Sequence, residues 1–126
     1  MSLRTPLGKV LGKGSAGDGV AHWWTQRVTA IALIPLTAWF VIALLGMPLH
    51  SYEAMRGWLG QPWAAVGTLL LAIALAWHSW LGVQVVIEDY VHAKGAKTTM
   101  LLLSTFLHFA AVVAAVFAVV VMAVAS

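Results

Sequence analysis

Three long stretches of the chain carry no charged residue, and they set the architecture. Val28 to Gly46 (VTAIALIPLTAWFVIALLG), Trp63 to Ile87 (WAAVGTLLLAIALAWHSWLGVQVVI) and Thr98 to Ala125 (TTMLLLSTFLHFAAVVAAVFAVVVMAVA) contain no Lys, Arg, Asp or Glu. About 20 apolar residues in a helix cross the hydrocarbon of a bilayer, so each stretch is long enough, the first by a narrow margin. The pattern predicts an all-α integral membrane protein with three transmembrane helices, over 28–46, 63–87 and 98–125. Pro35 is expected to kink the first, which membrane helices tolerate. Polar segments at 1–27, 47–62 and 88–97 flank them. The 47–62 segment holds the interrupters Pro48, Gly57, Gly60 and Pro62. Its middle, Ser51 to Leu59, predicts one or two helical turns at the interface, where Tyr52, Trp58 and Trp63 fit, as do Trp23 and Trp24 ahead of the first span. Gly12, Gly14, Gly17 and Gly19 predict a flexible or extended start.

Composition agrees with the pattern. Of 126 residues 62% are apolar and 9% charged, too few charges to cover a soluble domain of this length. Cysteine is absent, which excludes disulfides, thiolate iron–sulfur ligation and covalent haem attachment. Any redox cofactor held here would rest on histidine or methionine. The net charge of +3 is no nucleic-acid signal, because the basic residues sit beside the spans and report topology. Arg4, Lys9, Lys13 and Arg27 precede the first span, Lys94 and Lys97 fall between the second and third, and Arg56 alone is on the opposite side. The positive-inside rule then places the N-terminus in the cytoplasm and the C-terminus outside. The first residues show neither an apolar run nor a cleavage pattern, so no cleaved signal peptide is expected. No internal repeat suggests an inverted-repeat transporter, and all four acids lie outside the spans, which weighs against a proton-coupled exporter.

A few polar residues fall where chemistry needs them. His78 lies ten residues before Glu88, about 15 Å below the cytoplasmic edge and near mid-membrane. A polar ring at that depth is costly unless engaged, and a neutral imidazole is a natural axial ligand of haem iron. Gly82, one turn on, leaves room for a flat macrocycle. The competing reading is an imidazole hydrogen-bonded to a neighbouring helix. His108 reaches about the same depth, with Ser104 one turn before it, and spacing alone does not choose between the two histidines. Glu88, Asp89 and Tyr90, followed by His92, stand where the second helix leaves the membrane. Asp89 is eleven residues after His78, about 1,100° of rotation, and so shares its face. A phenol there can donate to a quinone carbonyl and a carboxylate can orient it or relay protons; ordinary interfacial decoration is the plainer reading. Arg27 could pair with a propionate or polarise a quinone carbonyl, or simply set topology. His22, His50 and His92 lie near boundaries and are weaker ligand candidates.

Two segments, His22 to Ala30 (HWWTQRVTA) and His78 to His92 (HSWLGVQVVIEDYVH), resemble the smaller membrane-anchor subunit of succinate dehydrogenase, and the likeness in span order and topology covers nearly the whole chain. The resemblance implies a second three-span anchor completing a six-helix bundle. It also implies an iron–sulfur subunit and a flavoprotein carrying FAD, docked on the cytoplasmic face of a bacterial or mitochondrial inner membrane. It implies a haem b between the anchors, with one axial histidine from each, and ubiquinone or another quinone as electron acceptor. Carried over residue by residue, His78 matches the haem ligand, Arg27 an arginine near the propionates and the quinone pocket, Tyr90 the quinone-bonding tyrosine and Asp89 the acid beside it. His108 matches no position of the pattern and is expected to make a packing or polar contact. Succinate oxidation would reside in the partner subunits, and association of whole complexes into trimers stays open. The alternatives are the anchor of another quinone-linked complex, of the fumarate reductase type, and a haem-free assembly protein.

Overall fold

The computed structural model describes residues 16–48 and 51–125. Arg4, Lys9, Gly12, Lys13, Gly14 and His50 lie outside the described residues. Four helices follow one another: α1 (Ala16–Leu45), α2 (Tyr52–Leu59), α3 (Pro62–Tyr90) and α4 (Lys94–Val124). Of these, α1, α3 and α4 are long and apolar enough to cross a membrane. With no water in hydrocarbon to bond the backbone, helix is the state that satisfies every N–H and C=O within one segment.

The helices extend past the apolar stretches. α1 starts upstream of Val28 and includes Gly17 and Gly19, which are helical rather than extended. Glycine costs about 1 kcal/mol relative to alanine inside a helix, but a helix already nucleated downstream gains one backbone bond for each residue it adds. α1 also runs unbroken through Pro35. The short α2 is capped by Ser51, whose Oγ accepts the Ala54 N–H at 3.1 Å, with Glu53 in the first turn against the helix dipole. Pro62 opens α3, where its missing N–H is no loss. At the other end of α3 the Lys97 Nζ donates to the Glu88 carbonyl at 2.9 Å, satisfying one of the orphan acceptors of the last turn.

α3 is the middle helix, packed against α1 on one side and α4 on the other, and the backbones of α1 and α4 do not approach each other. α1 comes close to α3 at Gly67. A Cβ built there would lie 2.5 Å from one ring carbon of Trp39 and 2.8 Å from the next. The Trp39 ring is in turn gripped by Trp58 and Trp63, with centroids at 5.6 and 6.0 Å. This large-on-small contact suits helix packing in lipid, where close approach rather than water exclusion holds helices together.

The α3–α4 seam is polar at its centre. Ser79 Oγ donates to His108 Nε2 at 3.1 Å, His108 Nδ1 donates to the Ser104 carbonyl at 2.8 Å, and Trp80 Nε1 donates to Thr105 Oγ1 at 3.1 Å. A bond of this kind within a membrane contributes on average about 0.6 kcal/mol, up to about 1.7. Thr105→Val is expected to destabilise the chain by about that amount in detergent-titrated unfolding; an unchanged midpoint would remove the Trp80–Thr105 bond from the seam.

Among the described residues few apolar side chains are covered by the chain itself: Leu59, Ala64, Leu71, Leu81, Ile87 and Val119. Ile34 and Phe106 remain 71% and 69% exposed. Apolar surface on this scale belongs against acyl chains or partner helices.

Candidate functional site

The N-terminal half of α1 and the C-terminal half of α3 enclose an open cleft of about 470 Å³. Gly19, His22, Trp23, Gln26, Arg27 and Ala30 line it from α1, at the three- and four-residue steps that keep side chains on one helical face. His78, Gly82 and Val85 line it from α3 with the same periodicity. Two residues singled out in the sequence, His78 and Arg27, thus meet in one cavity although they are far apart along the chain.

Each wall has a physical reason. At Gly82 an added Cβ would meet only the Gln26 side-chain nitrogen at 3.7 Å, so the α3 wall is flat there because the glycine has no side chain, and a large residue would fill the cleft. Arg27 stacks its guanidinium over Trp23, 5.3 Å from the ring centroid, which holds the cation at the cleft edge. His22 Nε2 and Gln26 Oε1 are buried without a hydrogen-bond partner. Buried polar atoms nearly always find a partner, so this cleft is suited to a ligand with a polar edge.

His78 is itself held from α1. Its Nδ1 lies 3.0 Å from the Thr29 hydroxyl, and its Nε2 is 3.5 Å from the Gln26 side-chain nitrogen, a long contact. The two mid-span histidines differ in their partners. His108 has Nδ1 bonded to the Ser104 carbonyl and Nε2 to the Ser79 hydroxyl, so both nitrogens are engaged in packing α4 on α3. The groove beside His108, about 500 Å³, is walled by apolar residues including Ile73, Trp77, Phe109 and Val112.

Asp89 and Tyr90 do not line the α1–α3 cleft. They occupy the last turn of α3, both exposed, Tyr90 at 79%. Asp89 follows Val85 of the cleft wall by four residues and so continues its face toward the helix end. Among the described residues no three histidine or carboxylate side chains gather into a cage for a bare ion. An axial imidazole on a macrocyclic metal needs only one.

Thr29 and Gln26 were not singled out as partners of His78 by sequence reasoning. The available signal was weak: Gln26 falls one turn before Ala30 on the Arg27 side of α1, and Thr29 is a hydroxyl just inside an otherwise apolar span.

These features define a three-span membrane subunit that carries a histidine cleft between its first and central spans. The chain belongs to the succinate dehydrogenase/fumarate reductase transmembrane subunit family, whose model matches residues 1–125. Among similar proteins, the succinate dehydrogenase hydrophobic membrane anchor subunit of Rickettsia bellii is 31% identical over 118 residues, covering 91% of this chain and 94% of its own length. The protein of the same description from Paracoccus denitrificans is 32% identical, covering 94% of this chain and 91% of its own length. The succinate dehydrogenase membrane anchor subunit of Reclinomonas americana is 27% identical across 68% of this chain and 74% of its own length.

Proposed function

We propose that this chain is a membrane anchor of succinate dehydrogenase, that it supplies one axial ligand to a haem b, and that it forms part of a site where quinone is reduced. The observation that carries the reading is the shared cleft. His78, the flat wall at Gly82 and the Arg27 cation come together there, with buried polar atoms of His22 and Gln26 unpartnered beside them.

The donor set fits a haem. His78 Nε2 would be the ligating atom, Gly82 would admit the flat ring, and Arg27 with His22 would answer the negative propionate edge. When bound, the haem supplies a one-electron carrier between the anchors. A second three-span anchor would supply a further histidine to the haem and would cover apolar surface that this chain leaves exposed. An iron–sulfur subunit and a flavoprotein dock on the side that holds the N-terminus and the α3–α4 link. That side carries Arg4, Lys9, Lys13, Arg27, Lys94 and Lys97 against Arg56 alone on the other, and the positive-inside rule makes it cytoplasmic in an inner membrane.

Tyr90 and Asp89 stand at that edge, within reach of a quinone accepting electrons from the docked subunits. Reduction of a quinone to a quinol takes two electrons and two protons, and negative charge develops on the carbonyl oxygens. The Tyr90 phenol donates a hydrogen bond to one of them, and Asp89 orients the donor or relays protons. In a complex purified through a tag on this chain, Tyr90→Phe is expected to lower quinone reduction by about 100-fold, the scale of one lost donor at a developing oxyanion. Haem content and succinate oxidation with an artificial acceptor should stay unchanged. Equal quinone reduction in the two proteins would remove Tyr90 from the site.

A further inference from the structure

His78 is anchored by a hydroxyl that also faces two backbone carbonyls of its own helix. Thr29 Oγ1 lies 2.9 Å from the Thr25 carbonyl and 3.1 Å from the Gln26 carbonyl, and both can only accept. A threonine hydroxyl has one proton and two lone pairs. With the proton turned into the backbone of α1, the oxygen offers a lone pair to His78 Nδ1, 3.0 Å away, so Nδ1 carries the hydrogen and donates it. A neutral imidazole has one N–H, so the lone pair resides on Nε2. The nearest polar neighbour of that nitrogen agrees, since the Gln26 amide nitrogen at 3.5 Å is a donor. His108 is in the same tautomer, set by the Ser104 carbonyl, but its Nε2 lone pair is taken by Ser79. At His78 the one neighbour of Nε2 is the Gln26 amide at 3.5 Å, a long contact that a ligand in the cleft can displace.

We propose that Thr29 is a positioning residue that fixes His78 as the Nδ1–H tautomer and so presents Nε2 as the metal-ligating atom. The inference rests on the reading of His78 as a haem ligand and adds what orients its ring and sets its tautomer. An acceptor on Nδ1–H fixes the ring plane and makes Nε2 a stronger electron donor. A stronger donor favours the more highly charged ferric iron and so lowers the haem potential.

The test compares Thr29→Val and Thr29→Ser in the assembled, purified complex. Three quantities are read: haem retention during competition with a haem-scavenging protein, the haem midpoint potential by redox titration, and the ferric low-spin electron paramagnetic resonance signal. Thr29→Val is expected to weaken haem retention by about 10- to 100-fold, to shift the potential upward and to alter the low-spin signal. Thr29→Ser, which keeps the hydroxyl, should restore all three. If the valine variant fails to assemble, Thr29→Ala removes the same acceptor with a smaller side chain. A Thr29→Val complex with wild-type potential and retention would overturn the proposal. So would one that is merely less heat-stable, with an unshifted potential in the haem it keeps. The ligand reading fails separately, if His78→Ala retains the wild-type haem signal.

Discussion

His78→Ala is expected to remove the low-spin signature of a haem with two axial imidazoles and to lower the haem content of the purified complex. The bond removed is the one proposed to be made directly to the haem, unlike the supporting role proposed for Thr29. Every 1.4 kcal/mol of binding is a factor of ten, so loss of an axial bond should reduce haem affinity at least about tenfold. Reduced-minus-oxidised spectra of the wild-type and variant complexes at matched protein concentration read the effect. Added imidazole should restore the low-spin bands in part, because the cavity left by the side chain faces the open cleft between α1 and α3. A variant spectrum identical to the wild type would break the assignment. The next residue to test would then be His22, which lines the same cleft with a buried, unpartnered Nε2, and not His108, whose ring nitrogens are both engaged.

Gly67→Ala is expected to destabilise the α1–α3 pair by about 1–3 kcal/mol, the usual cost of forcing one extra carbon into a filled contact. The new methyl would stand 2.5 Å from a Trp39 ring carbon, well inside van der Waals separation. A long flexible side chain could move aside. Trp39 is a rigid plane with Trp58 and Trp63 against it, so the displacement passes to α1 as a whole. Trp39 is ten residues from Thr29, and Gly67 is eleven from His78, about 15 Å along each helix. Loosening this contact should therefore reach the cleft as weaker haem retention as well as earlier unfolding. Detergent-titrated unfolding of Gly67→Ala alone and combined with Trp39→Phe reads both parts of the argument. The smaller ring should recover much of the loss. Wild-type stability in Gly67→Ala would show that Trp39 does not set the α1–α3 spacing.

The spans were legible because charge exclusion over a bilayer's width is a strong constraint that leaves a long, unambiguous trace. The short α2 was legible for a local reason: interrupters at Pro48, Gly60 and Pro62 set off a stretch whose Tyr52 and Trp58 suit the interface. The start of α1 was not. Glycine signals at Gly17 and Gly19 favour irregular chain, but helix propagation from the span overrides them. His78 stood out by depth alone. Its partners did not, because the contacts join residues 49 and 52 positions apart and depend on how α1 rotates against α3. Spacing alone did not separate the two histidines, and only the family resemblance ranked His78 ahead of His108. The contacts that hold His108, to Ser79 and to the Ser104 carbonyl, leave no mark in a hydropathy pattern.

The central claim is that one nitrogen of His78 faces a metal-bearing ring in the cleft between the first and central spans. A cryo-electron microscopy map of the complex isolated from its native membrane tests it most directly. The expected map has a porphyrin plane over Gly82, with iron within bonding distance of His78 Nε2 and the propionates turned toward Arg27. A map with lipid or empty density in that cleft, or with a porphyrin bound by another side chain of this subunit, would contradict it.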